Sequence, residues 1–281
     1  MSSSQSDVRN YNLCNIYRED IALLDPGKWL NDTIIHYVFE RFTHDDFKEL
    51  KHLLRYVPPQ TAFIIQHDRD EEDVESTVRL ALQPAVLVSG NELKQNGEAS
   101  SSHEGKSTID DALQPDALRA PRFIFLPINN SAQFNRVSGT HWSLLVVDRE
   151  QSLYLHFDSS STRPNTRIAE QFAQKLHRTL LSLGLAGKAV HSFRTVSEGP
   201  VQQNTFDCGV YVLITTSAIG TWITRRNQNL GQPLPSPTVH EESLDIASQE
   251  CMQFIATTAT AESCTALRRE IKHQLEQLFR T

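Results

Sequence analysis

Apolar residues recur along the chain with two distinct periods. Leu30, Ile34, Ile35, Val38 and Phe42 share one face of a 3.6-residue helix, with Asn31 or Asp32 placed to cap its start. Residues 122–128 (RFIFLPI) and 141–148 (HWSLLVVD) read as buried strands, and 152–159 (SLYLHFDS) as a strand with Leu153, Leu155 and Phe157 on one face. An amphipathic helix is expected over 167–183 through Ile168, Phe172, Leu176 and Leu180. Residues 210–223 are apolar on most sides, as a central buried helix would be, and Leu267, Ile271, Leu275 and Leu278 mark a last helix. No internal repeat is visible.

Two polar stretches break this pattern. Residues 66–118 hold twelve Asp and Glu against four Lys and Arg, a surplus larger than the whole formal net charge of −7, so the rest of the chain is close to neutral. The segment reads as an inserted, partly disordered acidic loop, in which VRLALQPAVLV holds a short helix or strand. Residues 225–243, with three prolines in five residues, read as a second surface insertion. The expectation is one domain over 1–281, interrupted at about 66–118 and 225–243.

A chain of 281 residues with 39% hydrophobic and 22% charged residues is a globular composition, which excludes collagenous, coiled-coil and wholly disordered classes. The uncharged stretch from Cys208 to Thr224 is shorter than the roughly 18 apolar residues of a spanning helix, so no membrane association is expected. The acidic balance argues against nucleic acid as a partner. The first residues lack an apolar signal core or an Arg-rich transit pattern, which predicts a place in the cytoplasm and nucleus. Four scattered cysteines, none in a CxxC pair, predict free thiols. No HExxH or CxxC motif calls for a metal, and no cofactor is expected.

The chemistry lies in the strands and the apolar helix. If the hairpin between 141 and 158 is symmetric about Arg149 and Glu150, partner numbers total 299 and His141 faces Asp158 directly. Opposed side chains have Cβ atoms about 4.5–5.5 Å apart. The carboxylate would then take the Nδ1 proton and leave Nε2 outward as a base; a structural polar pair at a sheet end is the other reading. Cys208, in QQNTFDCGVYVLI, falls where a turn-forming stretch enters the apolar helix, a position at which the helix dipole favours a thiolate. Gly209 leaves room beside the thiol. Gln202, six residues earlier, offers an amide that with the Cys208 N–H would form an oxyanion hole. Cys14, Cys251 and Cys264 read as buried and inert.

In this order, His, Asp, Gln, Cys, the chain resembles the Ulp/sentrin-type cysteine proteases of ubiquitin-like modifiers. The resemblance is carried by LLDPGKWLNDTIIHYVFERF, FIFLPINN, GTHWSLLVVD, YLHFDS and QQNTFDCGVYV. It implies an α+β fold of the Ulp (adenain-like) type, a central mixed sheet flanked by helices with the nucleophile at a buried helix N-terminus. It also implies that His141 is the base, Asp158 its orienter, Cys208 the nucleophile and Gln202 the oxyanion donor. Trp29 and Trp142 match tryptophans that confine the modifier's Gly-Gly tail, and two glycines are thin enough to pass between indoles. Asp32 matches an acidic position that meets the arginine before the Gly-Gly, although its place also suits the helix cap. The loop before His141, 127–140, matches one that contacts the tail.

Within that superfamily the chain looks most like the deneddylases, which remove the neddyl (Rub-type) modifier from cullins and other proteins. LLDPGKWLND is close to their form, Thr205 follows Asn204 where SUMO proteases usually have Gly, and the catalytic region starts near residue 1. The resemblance therefore implies a thiol isopeptidase, a deneddylase with precursor maturation as a second activity. A SUMO protease is the nearest alternative; an acyltransferase, or a noncatalytic modifier-binding module, stands further off.

Overall fold

The computed structural model describes residues 7–83, 120–131, 139–230 and 244–280. Five strands form one mixed sheet: β3 (Leu54–Tyr56), β4 (Phe123–Asn129), β5 (Trp142–Asp148), β6 (Leu153–Phe157) and β7 (Ser192–Thr195), adjacent in that order. The central three are antiparallel, and β3 and β7 join the edges in parallel. A separate hairpin pairs β1 (Val8–Tyr11) with β2 (Cys14–Tyr17).

Alternation along the strands sorts the core into two layers. Phe123, Phe125, Leu144, Val146, Leu155 and Phe157 face the cluster that includes α1 (Asp32–Arg41), α5 (Cys208–Leu230), α6 (Gln249–Thr258) and α7 (Ala261–Leu278). Ile124, Leu126, Leu145, Val147 and Tyr154 face α2 (Pro59–His67), α3 (Glu71–Leu82) and α4 (Thr166–Ser182). β4 and β5 are buried on both sides, which is why their sequences read as unbroken apolar runs. In α1 the cap is Asn31, whose side chain accepts the Ile34 N–H at 3.0 Å, a contact that contributes about 1 kcal/mol. Asp32 is the first helical residue.

The acidic stretch is more structured at its front than its charge suggests. α2 runs to His67, and DEEDVE opens α3 rather than a loop. Asp70 accepts the N–H groups of Glu72 (2.9 Å) and Asp73 (3.2 Å), while Glu71, Glu72 and Asp73 lie in the first turn, where the helix dipole favours negative charge. Val74, Val78 and Leu82 then bury a face at helical spacing. The rest of that expected insertion, 84–118, lies outside the described residues. Likewise α5 continues to Leu230, taking in the start of the second expected insertion, and 231–243 lie outside the described residues.

Candidate active site

His141 and Asp158 come together just beyond the paired ends of β5 and β6. The register is Leu144 with Phe157 and Leu145 with His156, so partner numbers total 301 rather than the expected 299. Ser152, at φ 50°, takes the left-handed conformation that closes the longer turn. Continued outward, this register sets Asp158 opposite Ser143 and puts His141 on the diagonal. An offset of two residues keeps every side chain on its face, and the pair still meets. It meets through the other ring nitrogen: His141 Nε2 lies 2.6 Å from Asp158 Oδ1. Nδ1, the nitrogen expected to face the carboxylate, is left for Cys208, with which the imidazole also hydrogen bonds. The diagonal approach brings the carboxylate to the far edge of the ring.

These contacts set the proton affinity of His141. Burial alone would lower it, but hydrogen bonds to Asp158 and Cys208, with their charges, outweigh that and push it up to about 9. Asp158 is itself held by the Ser160 N–H on Oδ1 (3.0 Å) and the Asn165 N–H on Oδ2 (3.2 Å). Asn165, fully buried before α4, also donates to Ser143 Oγ at 3.0 Å. Ser143 in turn meets Nε2 of the buried His156 at 3.0 Å, and Thr195 Oγ1 lies 3.3 Å from His156 Nδ1. Burial pushes His156 down to about 4, so at neutral pH it is uncharged. Ser143, His156 and Asn165 give the sequence no catalytic signature, since each is an ordinary residue of a strand or loop.

Cys208 is the first residue of α5 and is 2% exposed. The chain enters the helix through an Asn turn, in which Asn204 Oδ1 accepts the N–H groups of Phe206 (3.1 Å) and Asp207 (2.9 Å). Gln202 is oriented from both ends. Its carbonyl accepts from Ser159 Oγ at 2.7 Å, and its Nε2 donates to the Asn204 carbonyl at 2.5 Å, leaving the second amide hydrogen for a ligand. A Cβ on Gly209 would lie 3.1 Å from Leu30 Cβ and 3.3 Å from Trp142 Cδ1, so the helix packs close to both because the residue after the cysteine has no side chain. The other cysteines are buried, and burial pushes each of these thiols up to about 12.

The two tryptophans are anchored to opposite segments. Trp142 is 9% exposed, donates to the Leu30 carbonyl at 3.0 Å and lines the cleft beside Cys208 with Phe157 and Tyr211. Trp29 is 47% exposed, and its indole N–H reaches across to the Thr205 carbonyl at 2.8 Å. Asp32 is half-buried, with Oδ2 accepting from Gln60 Nε2 at 2.7 Å. The loop before His141 is fixed at its base by Asn130, whose Oδ1 accepts from Thr140 N (2.7 Å) and His141 N (3.1 Å). A Cβ on Gly139 would overlap the Asn129 side-chain amide at 1.4 Å, so a larger residue there would push that side chain aside. Residues 132–138 lie outside the described residues. Among the described residues no group of three His, Cys, Asp or Glu is placed to hold a metal ion, and no helix is long and apolar enough to cross a membrane.

Residues 89–226 match the profile described as the Ulp1 protease family, C-terminal catalytic domain. Sentrin-specific protease 8 of Rattus norvegicus is 30% identical over 221 residues, 79% of this chain and 82% of its own. NEDD8-specific protease 1 of Arabidopsis thaliana is 23% identical over 226 residues, 79% of each chain. Among solved structures, the C-terminal Ulp1 protease domain in complex with Smt3, the yeast ortholog of SUMO, superposes with a TM-score of 0.54 at 18% identity, over 98% of this chain and 88% of that one.

Proposed function

Because the chain belongs to the Ulp1 protease family and is a cysteine protease of ubiquitin-like modifiers, we propose that it cleaves after the C-terminal Gly-Gly of the neddyl (Rub-type) modifier. In this reading it removes the modifier from conjugates such as cullins and matures its precursor. The observation that carries the reading is one imidazole, His141, hydrogen bonded both to Asp158 and to a cysteine at the start of α5. The name of one relative, NEDD8-specific protease 1, supports the choice of modifier.

The steps follow from that geometry. His141 Nδ1 takes the Cys208 thiol proton, and Sγ bonds to the carbonyl carbon of the terminal glycine. The oxyanion so formed is held by the Cys208 N–H and by Gln202 Nε2, which Ser159 and Asn204 keep oriented. As the C–N bond breaks, His141 returns the proton to the leaving lysine amine, and a thioester remains. Water then attacks the thioester, giving its proton to His141; the C–S bond breaks, and the modifier leaves with a free carboxylate. A base pushed up to about 9 takes the thiol proton readily, and Asp158 stabilises the imidazolium throughout. Trp29 and Trp142 confine the glycines, and Asp32 meets the arginine before them.

The test is a panel of neddyl, SUMO and ubiquitin carrying a C-terminal electrophile. The neddyl probe is expected to label Cys208 fastest. Faster labelling by SUMO or ubiquitin overturns the choice of modifier, and turnover retained in Cys208→Ala overturns the assignment of the nucleophile.

A further inference from the structure

One buried side chain of α7 reaches both walls of the site. Arg268 is 5% exposed, and each of its three guanidinium nitrogens donates a hydrogen bond. Nε donates to Asp207 Oδ1 at 2.8 Å, Nη1 to the Leu23 carbonyl at 3.0 Å, and Nη2 to the carbonyls of Lys28 (2.7 Å) and Phe206 (3.2 Å). Two of these acceptors border a residue with a proposed role, and a third borders the residue that holds one of them. Lys28 precedes Trp29, Phe206 follows the Thr205 whose carbonyl holds the Trp29 indole, and Asp207 precedes Cys208. The second oxygen of Asp207 accepts from Asn204 Nδ2 at 2.8 Å, and the Asn204 carbonyl holds Gln202 Nε2. Two chains of hydrogen bonds therefore leave one guanidinium, one ending at Trp29 and the other at the oxyanion donors.

Stability alone does not account for such a residue. Replacing a buried ion pair by apolar side chains of similar volume is often neutral or stabilising, and α7 already buries Ile271 and Leu275 on its inner side. What an apolar residue cannot do is hold several acceptors from two loops at fixed angles, for which the planar fork of arginine is suited and the single ammonium of lysine is not.

We propose that Arg268 is a positioning residue for the protease reaction: through Lys28 it sets Trp29 against the 205–208 turn, and through Asp207 and Asn204 it sets Gln202 and the Cys208 amide. This rests on the roles given above to Cys208, Gln202 and Trp29. Arg268→Lys should keep a charge beside Asp207 yet lose the bonds to the carbonyls. With a neddyl–fluorophore amide as substrate, KM should rise and kcat fall, lowering kcat/KM about tenfold or more. Rates are expressed per folded molecule, the folded fraction being read from circular dichroism of the same sample, so that unfolded protein is not scored as inactive. Asn204→Ala removes the side-chain bond to Asp207 that joins the Arg268 network to the Gln202 segment, together with the turn bonds to Phe206 and Asp207, and leaves the Lys28 arm to Trp29 in place; it should lower kcat while leaving KM near the wild-type value, which keeps the proposal testable should the Arg268 variant not fold. The proposal is overturned if Arg268→Lys keeps wild-type kcat and KM per folded molecule, or if Asn204→Ala leaves kcat unchanged. Failure of the underlying assignment looks different, since Cys208→Ala would then retain turnover.

Discussion

His141 and His156 stand on either side of Ser143 in the same pair of strands, and their surroundings drive them to opposite charge states. Asp158 and Cys208 hold His141 up at about 9, while burial holds His156 down at about 4. The imidazolium of the proposed reaction is thus backed by an imidazole that stays neutral, which keeps a second positive charge away from the Asp158 carboxylate.

Stability should therefore fall on both sides of about pH 6.5, the ordinary histidine value. His156 binds fewer protons folded than unfolded, so its contribution is present above 6.5 and is lost as pH falls toward 4. His141 binds more protons folded, so its contribution is complete below 6.5 and is lost as pH rises through 9. A tenfold change in proton affinity on folding is worth about 1.4 kcal/mol, which makes each limb of the order of 3 kcal/mol. Urea unfolding of the wild type at pH 5, 6.5 and 9 measures both. His156→Asn should flatten the acid limb alone; equal midpoints at pH 5 and 6.5 in the wild type would refute it.

Asp158→Asn is isosteric and should fold, its amide oxygen keeping one of the two N–H bonds that Ser160 and Asn165 make to the separate carboxylate oxygens. It loses the charge that supports the imidazolium, and kcat should drop by roughly a hundredfold or more. The alkaline limb should shrink with it, since the Asp158 hydrogen bond heads the interactions that raise His141. A variant with near-wild-type kcat would make Asp158 structural.

Gly209→Ala puts a methyl 3.1 Å from Leu30 and 3.3 Å from Trp142. Relief requires shifts of a few tenths of an ångström in the wall beside Cys208. The expected cost is about 1–3 kcal/mol of stability, with a larger proportional loss in kcat/KM than in folded fraction at 25 °C. Thermal melts and steady-state kinetics on the same sample decide it; loss of stability with unchanged kcat/KM would show that the wall does not touch the tail.

Asp32→Ala should lower kcat/KM on the neddyl substrate by roughly tenfold, as loss of a charge-assisted bond to the tail arginine predicts. Asn31 already supplies the cap, so the melting temperature should change little. The arginine is shared with ubiquitin and absent from SUMO tails. Preference for neddyl over ubiquitin must then come from the residue two places earlier, alanine in one and arginine in the other, which an uncharged subsite would distinguish. Equal cleavage of neddyl and ubiquitin by the wild type would reject that preference.

What the sequence made legible was local. The strands around His141, the helix from Cys208 and the cap at Asn31 or Asp32 each follow from spacing within a dozen residues, and the structure places them there with shifts of a few residues. The hairpin register came out two residues off because a serine at positive φ is not a turn signal, yet the pairing survived since two is the period of a strand. α3 was hidden by its own first turn, where Glu71, Glu72 and Asp73 look like a solvated run unless Asp70 is recognised as a cap. Arg268 was beyond reach: its partners lie 61 residues away at Asp207 and 240 at Lys28, and no local pattern links them.

The uneven burial of the three tryptophans gives the protein an optical signal of its own. Trp142 and Trp222 are 9% and 5% exposed, whereas Trp29 is 47% exposed and tethered through its indole N–H. A peptide threaded past Trp29 would strip water from that one ring and leave the environment of Trp222 as it was. Intrinsic emission should therefore shift to shorter wavelength on binding, and a Trp29→Phe variant should lose most of that shift because Trp142 is only 9% exposed, so that binding can be followed in real time without attaching a dye to either partner.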